Sequence, residues 1–190
     1  MKKIILLIFL AALCQSCFIH RHFVGFGLST IFGSESWKDP VALQVGTETK
    51  VYDINGNSSL YSGLNISYQG AGWEESMMSG RVRLAYLNVP LLYNQEFRNK
   101  IFGEIGLQPG LLISAKDKYD GQTYDYMDYT SKFELGLPVG VGYHLNDQVS
   151  VGVRATYGLT SMDESGEGSD HNFMLVGRLI YTLDWSKFKK

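Results

Sequence analysis

Beyond Leu13 the chain never again runs apolar for long enough to cross a hydrocarbon layer as a helix, yet bulky apolar residues recur at every second position in eight separate segments. Period-two alternation gives a strand two unlike faces, so the chain is read as all-β. The clearest segment sets Phe133, Leu135, Leu137, Val139, Val141 and Tyr143 against Glu134, Gly136, Pro138, Gly140 and Gly142. The first opposes Val24, Phe26, Leu28, Thr30 and Phe32 to Gly25, Gly27 and Ser29, and the seventh opposes Val149, Val151, Val153, Ala155 and Tyr157 to Ser150, Gly152, Arg154 and Thr156. Segments over 41–51, 60–69, 87–94 and 101–114 repeat the pattern, with Ser114 assigned to the polar phase. The eighth, 173–185, is less regular, because Met174, Val176 and Ile180 share a phase with Arg178 and Thr182.

The connections alternate in length. Those over 53–57, 95–99 and 144–148 are short and carry the Gly, Asn and Asp that tight reversals need, whereas 33–40, 70–80, 117–131 and 159–172 read as long polar loops. Short turns at one rim and long loops at the other describe an up-and-down antiparallel barrel of about eight strands, with both termini on the short-turn side.

Alternation does not say which phase points outward, since a soluble ligand-binding barrel of the lipocalin type alternates too. Composition decides. A soluble exterior carries charge at roughly a quarter to a third of its positions, but only 19% of this chain is charged and the polar phases are mostly glycine, serine and amides. Small inward residues suit a narrow barrel whose bore has room for side chains alone. The apolar phase is therefore read as facing lipid, which makes the chain a transmembrane β-barrel of the bacterial outer membrane. A mean hydropathy of -0.07 fits strands that alternate. A Lys or Arg at mid-membrane on the lipid face costs about 2 to 4 kcal/mol, and the apolar phases above contain none. Tyr52, Tyr93, Tyr143 and Trp185 at one end, and Phe32, Tyr68, Phe133, Tyr157 and Phe173 at the other, read as interfacial girdles.

Lys2 and Lys3 precede an apolar run from Ile4 to Leu13, the layout of a secretory signal. Residues 1–16 are expected to be a cleaved signal peptide and 17–190 the barrel. Cys14-Gln15-Ser16-Cys17 loosely resembles a lipobox, and cleavage after Ser16 fits lipidation of Cys17 or ordinary processing. The mature chain keeps one cysteine at most and cannot form an internal disulfide. A net charge of -2 gives no field for nucleic acid.

Glu104, Glu134, Arg154 and Arg178 fall on inward phases, where isolated charges are costly and opposite charges form ion pairs; they are expected to make a structural network in the lumen, with Glu48 and Lys50 as further candidates. Tyr119, Tyr124, Tyr126 and Tyr129 crowd the third long loop, suited to contact with a protein or glycan or to packing over the barrel mouth. Catalysis has little to work with. His171 beside Asp170, with Ser161, Ser165 or Ser169, is the one hydrolase-like set, and its residue types are those of any solvated loop. Asp163, Glu164, Glu167 and Asp170 match no metal-loop spacing. No catalytic residue, cofactor or metal is assigned. The expected role is a non-enzymatic one, structural or interactive, with outer-membrane lipids and the insertion machinery as partners. An outer-membrane enzyme acting on lipid or peptide, and a soluble lipocalin-like barrel, stand as alternatives.

Tyr86-Leu87-Asn88-Val89-Pro90-Leu91-Leu92 resembles the Tyr-Leu-Glu-Ile-Pro-Leu-Leu signature of the PorT-like outer-membrane β-barrel family. Gly106 to Gly110, Gly136 to Tyr143 and Arg154 to Thr160 are similar to later strands of that family, so the resemblance spans nearly all of the mature chain. It implies the fold and the membrane location rather than a biochemical role. Two departures stand out. Asn88 occupies a position where the family commonly has an inward glutamate, and Trp185 is followed by Ser186-Lys187-Phe188-Lys189-Lys190 where such barrels often end on an aromatic residue.

Overall fold

The computed structural model describes residues 19–32, 37–38, 41–75, 78–162 and 170–184. The signal peptide, both cysteines, Trp185, Ser165, Ser169 and the acidic run Asp163 to Glu167 lie outside the described residues.

Eight antiparallel strands close on themselves. They are β1 (Ile19–Phe32), β2 (Ala42–Asp53), β3 (Ser58–Glu75), β4 in two runs (Met78–Asn88 and Leu91–Glu96), β5 (Ile101–Tyr119), β6 (Phe133–His144), β7 (Val149–Gly158) and β8 (His171–Asp184). Each strand pairs with its neighbours in sequence, and β8 returns to β1 in unbroken register from Ile19 opposite Asp184 to Phe32 opposite His171. Among the described residues every barrel strand pairs with a neighbour on both sides, the condition for placing backbone amides in lipid.

Three irregularities shape the wall, the first a register shift between Lys50 and Tyr52 where β2 pairs with β3. Val89 and Pro90 interrupt β4, where proline removes a ladder donor; the Val89 amide donates instead to the Pro109 carbonyl at 2.9 Å, across a second proline. Between β4 and β5 the register shifts at Ala85 and Tyr86, opposite Ser114 and Leu112. Leu112 keeps the inward phase of Gly110, and the bulge then puts Ala115 inward and leaves Ser114 half-exposed, so Ser114 does not belong to the polar lumen phase assigned from alternation.

The short turns form as their sequences direct. Gly56 takes the left-handed conformation (φ 76°), and its amide donates to Asp53 Oδ1 at 2.6 Å. Asn55 Oδ1 accepts from the Asn57 and Ser58 amides, and Asn146 Oδ1 does the same for Gln148 and Val149. At the other rim the strands run further than the loop assignments allow. Most of 70–80 is strand, β5 reaches Tyr119, and Gln122–Asp125 folds back on it as a hairpin. Polar side chains cost nothing in a strand that has left the membrane, so composition changes where the sheet does not.

The two faces are inverted relative to a soluble protein. Phe26, Leu28, Val45, Ile105, Leu107, Val141 and Leu179 are exposed on the outside, while Gln44, Glu48, Asn65, Asn88, Glu104, Arg154 and Arg178 are buried within. In β6 the outward apolar phase runs from Phe133 to Tyr143; ten steps of about 3.3 Å, tilted by roughly 40°, span about 25 Å of hydrocarbon. Tyr52, Tyr93 and Tyr143 are exposed at one rim of this band, and Phe32, Tyr68, Phe133 and Tyr157 at the other. Phe32 lies 5.5 Å from Phe173 and 6.5 Å from Tyr157, centroid to centroid.

Candidate functional site

The lumen is filled in layers, and glycine makes the room. Glu104 on β5 and Arg154 on β7 share one register row with Gly140 of β6 between them. A Cβ at Gly140 would stand 2.7 Å from Glu104 Oε1, so only a bare backbone lets the two side chains meet across the intervening strand. Gly142 likewise admits the Phe102 ring, and Gly46 admits Asn65.

Two carboxylates and two guanidiniums occupy the middle of the bore. Arg154 donates from Nε to Glu104 Oε1 at 2.6 Å and from Nη1 to Glu48 Oε1 at 2.8 Å. Arg178 donates from Nη1 to Glu104 Oε1 at 2.8 Å and from Nη2 to Glu48 Oε1 at 3.0 Å. All four residues are buried, and their formal charges cancel. The Arg178 guanidinium also lies 3.9 Å from the centroid of the Phe23 ring, which packs with Phe102 and Ile180.

Of the four charges assigned to one network, Glu104, Arg154 and Arg178 come together, with Glu48. Glu134 does not join them. It lies nearer the outer end, accepts from Gln69 Nε2 at 2.9 Å, and has no ion pair among the described residues. Lys50 turns to Asp53 instead of the cluster. That contact and the Gly56 amide hold the Asp53 carboxyl below its ordinary value. Asn88, the departure from the PorT-like signature, donates from Nδ2 to Asn65 Oδ1 and Ser67 Oγ, in an amide layer with Gln44 and Gln108.

A second polar group, absent from the sequence reading, stands at the turn side. Arg21 lies 3.9 Å from the centroid of Tyr61 and contacts Glu96 at 3.4 Å; His144 bridges Glu96 Oε2 at 2.8 Å and Ser150 Oγ at 2.8 Å. Glu96 and His144 read as turn residues in sequence, and only the inward parity of β4 and β6 pointed to them.

The outer end of the lumen is apolar. Ile31, Ala71, Val82, Leu84, Tyr86, Leu112, Ala115 and the loop residue Met162 form one buried cluster, capped by Tyr126 and Met127. Tyr126 thus packs over the mouth, with Tyr129 stacked on it at 5.5 Å. Tyr124 and Tyr129 remain exposed, Tyr124 donating to Gln122 Oε1 at 2.7 Å. The Tyr119 side chain lies outside the described residues. His171 Nδ1 lies 2.9 Å from the Gly158 carbonyl and its ring stacks on Tyr157 at 5.5 Å, so it belongs to the rim packing. Among the described residues no three His, Cys, Asp or Glu side chains gather as a metal site.

Residues 20–164 match the family described as outer membrane protein beta-barrel domain. The chain belongs to that family. It is a bacterial outer-membrane protein, its inverted faces and closed barrel being what that location demands. None of the curated proteins matches it. Among solved structures it is similar to Neisserial surface protein A, at 9% identity and TM-score 0.58, over 86% of this chain and 95% of that one. It is also similar to Ail, the attachment invasion locus protein of Yersinia pestis, at 16% identity and TM-score 0.53, over 87% of this chain and 98% of that one. At these identities the likeness is one of fold.

Proposed function

We propose that this chain is a PorT-like outer-membrane barrel, exported with residues 1–16 as a cleaved signal peptide, that acts without catalysis by presenting its extracellular loops to a protein or glycan partner. One observation carries the reading. The bore is occupied from the Arg21 and Glu96 layer, through the four-charge cluster, to the apolar cap under Tyr126 and Met127, so the molecule offers surfaces rather than a passage. On the outer side those surfaces carry exposed Tyr124 and Tyr129, side chains that bring contact area at low entropic cost. The charged cluster serves as an internal tie between β2, β5, β7 and β8, structural in role. A hydrolase built on His171 is disfavoured by the engagement of its ring with Gly158 and Tyr157.

A photo-crosslinking side chain placed at Tyr129, and separately at Tyr143 in the opposite girdle, tests this in intact cells. Tyr129 is expected to give a discrete protein or glycan adduct that Tyr124→Ser weakens several-fold, while Tyr143 gives lipid alone. Lipid or solvent adducts only at both positions would remove the loop role.

A further inference from the structure

The outward phase of β4 and β5 changes character where the strands leave the lipid band. Ile66, Leu87 and Leu111 form an aliphatic row across β3, β4 and β5; the next row is Tyr68, Ala85 and Ser114; the one beyond is Gly70, Arg83 and Lys116, followed by Gly72, Arg81 and Lys118. Val82, Leu84 and Ala115 are buried inward, so Arg83, Lys116 and Lys118 point out, and all three are exposed. Like charges directly opposite each other destabilise a ladder, yet here Arg83 faces Lys116 and Arg81 faces Lys118. Arg81 has a partner of its own and borders the set rather than defining it. Among the described residues Asp125, opposite Lys116 in register, accepts the Met127 amide at 3.0 Å and makes no ion pair with the lysine. Asp117 lies on the other phase and has a partner of its own.

On the β3 side of these cations the two-residue strand Trp37–Lys38 pairs with Trp73 and Gly72. Gly70 and Gly72 place no side chain next to the arginines, and a cleft of about 220 Å³ lies there, lined by Val41, Tyr68, Gly70, Arg81 and Arg83 together with Val82 and Leu84; Lys116 and Lys118 stand outside its lining, opposite Arg83 and Arg81. A Cβ at Gly70 would meet the Val82 carbonyl at 2.1 Å, so close strand approach keeps that position bare. The cleft thus joins an apolar floor, at the level of the Tyr68 girdle, to a basic wall two residues, or about 7 Å along the strand, farther out. That is the arrangement of a lipid at an interface: acyl chain below, charged headgroup above.

We propose that Arg83, Lys116 and Lys118 bind the phosphate groups of an anionic lipid of the outer leaflet, on the outside of the barrel wall, with an acyl chain against Tyr68 and Val41. Arg83 supplies a planar fork that matches phosphate oxygens, and the two lysines add point charges whose mutual repulsion the phosphate relieves. The inference names one lipid contact for a barrel already read as working through its surfaces. It does not depend on what the tyrosine loop binds, so the crosslinking test above and the test below fail independently.

Native mass spectrometry of the folded protein released from detergent micelles reads the site directly. The probes are bisphosphorylated lipid A, the same lipid after removal of its phosphates, and inorganic pyrophosphate. The protein is expected to retain the phosphorylated lipid at least tenfold more than the dephosphorylated one, and R83Q/K116Q/K118Q to lose that preference. The charge-matched control K50Q/R98Q/K100Q, at the opposite rim, is expected to keep it. Folding of each variant is read from the mobility difference between unheated and boiled samples. Should the triple variant not fold, Lys118→Gln alone, at the outermost of the three positions, is expected to lower retention at least threefold. Equal retention by folded variant and parent, equal retention of both lipids, or displacement by equimolar pyrophosphate, which marks a soluble-anion site, would each overturn the assignment.

Discussion

Glu104 and Glu134 sit on the inward phases of neighbouring strands, and both are nearly inaccessible to solvent, yet the middle of the lumen and its outer third treat them differently. Glu104 receives N–H groups from Arg154 and Arg178, within a set whose charges cancel. Glu134 receives an amide N–H from Gln69, lies beside the Asn172 side chain and packs against Gly158, next to an apolar cluster. The difference lies in what shares their register row. Glu104 looks across Gly140 to Arg154, whereas Glu134 is opposite Gly110, and beyond that lies Asn88. A buried carboxylate becomes a tie between strands only where the stagger of the barrel delivers a cation to its level.

The same substitution at the two sites exposes that difference. Glu104→Gln keeps the shape but leaves Arg154 and Arg178 facing Glu48 alone, an uncompensated buried charge. It is expected to cost about 3 to 5 kcal/mol of barrel stability, read as a lowered urea midpoint in phosphatidylcholine vesicles. A loss below about 1 kcal/mol would show that the cluster fills space without tying strands.

The outer third should fail by a different route. Leu84 is buried in the apolar cluster beneath the loops, and Leu84→Ala leaves a cavity there. A loss of about 2 to 4 kcal/mol is expected by the same unfolding measurement. Because Leu84 shares no partner with the charged cluster, the double variant E104Q/L84A should sum the single losses to within about 0.5 kcal/mol. A larger coupling would mean that the two layers form one cooperative plug.

These particulars mark what the sequence could and could not convey. Period two assigned the lipid side of all eight strands, because a side chain's face depends on parity alone, and the girdle residues followed from where each apolar phase begins and ends. Parity carries no information about height. The meeting of Glu48 with Arg154, 106 residues apart, is set by stagger between strands, and so is the separation of Glu134 from both arginines. Ser114 was assigned inward because a bulge inserts one residue without any local sign in composition. The reading of 70–80 as a loop failed for a related reason: a strand that continues into water is free to be polar, so the end of the apolar phase marked the membrane boundary and not the end of the sheet. The irregular eighth segment has the opposite explanation. Met174, Val176 and Ile180 share a phase with Arg178 because the lumen itself contains apolar layers, in contact with Ala42 at one level and with Phe23 and Phe102 at another.

The smallest effect is expected at Glu134. Glu134→Gln retains an oxygen for the Gln69 amide and abandons no cation, since none is paired with the carboxylate among the described residues. Losing a charge that no partner offsets relieves desolvation, so the change in stability should stay within about 1 kcal/mol of zero, on either side. Read in the same vesicles as Glu104→Gln, it gives a ratio between two chemically identical substitutions. A ratio near one would mean that Glu134 has a cationic partner in the membrane-embedded protein, and the contrast between the charged middle and the apolar outer third would have to be redrawn.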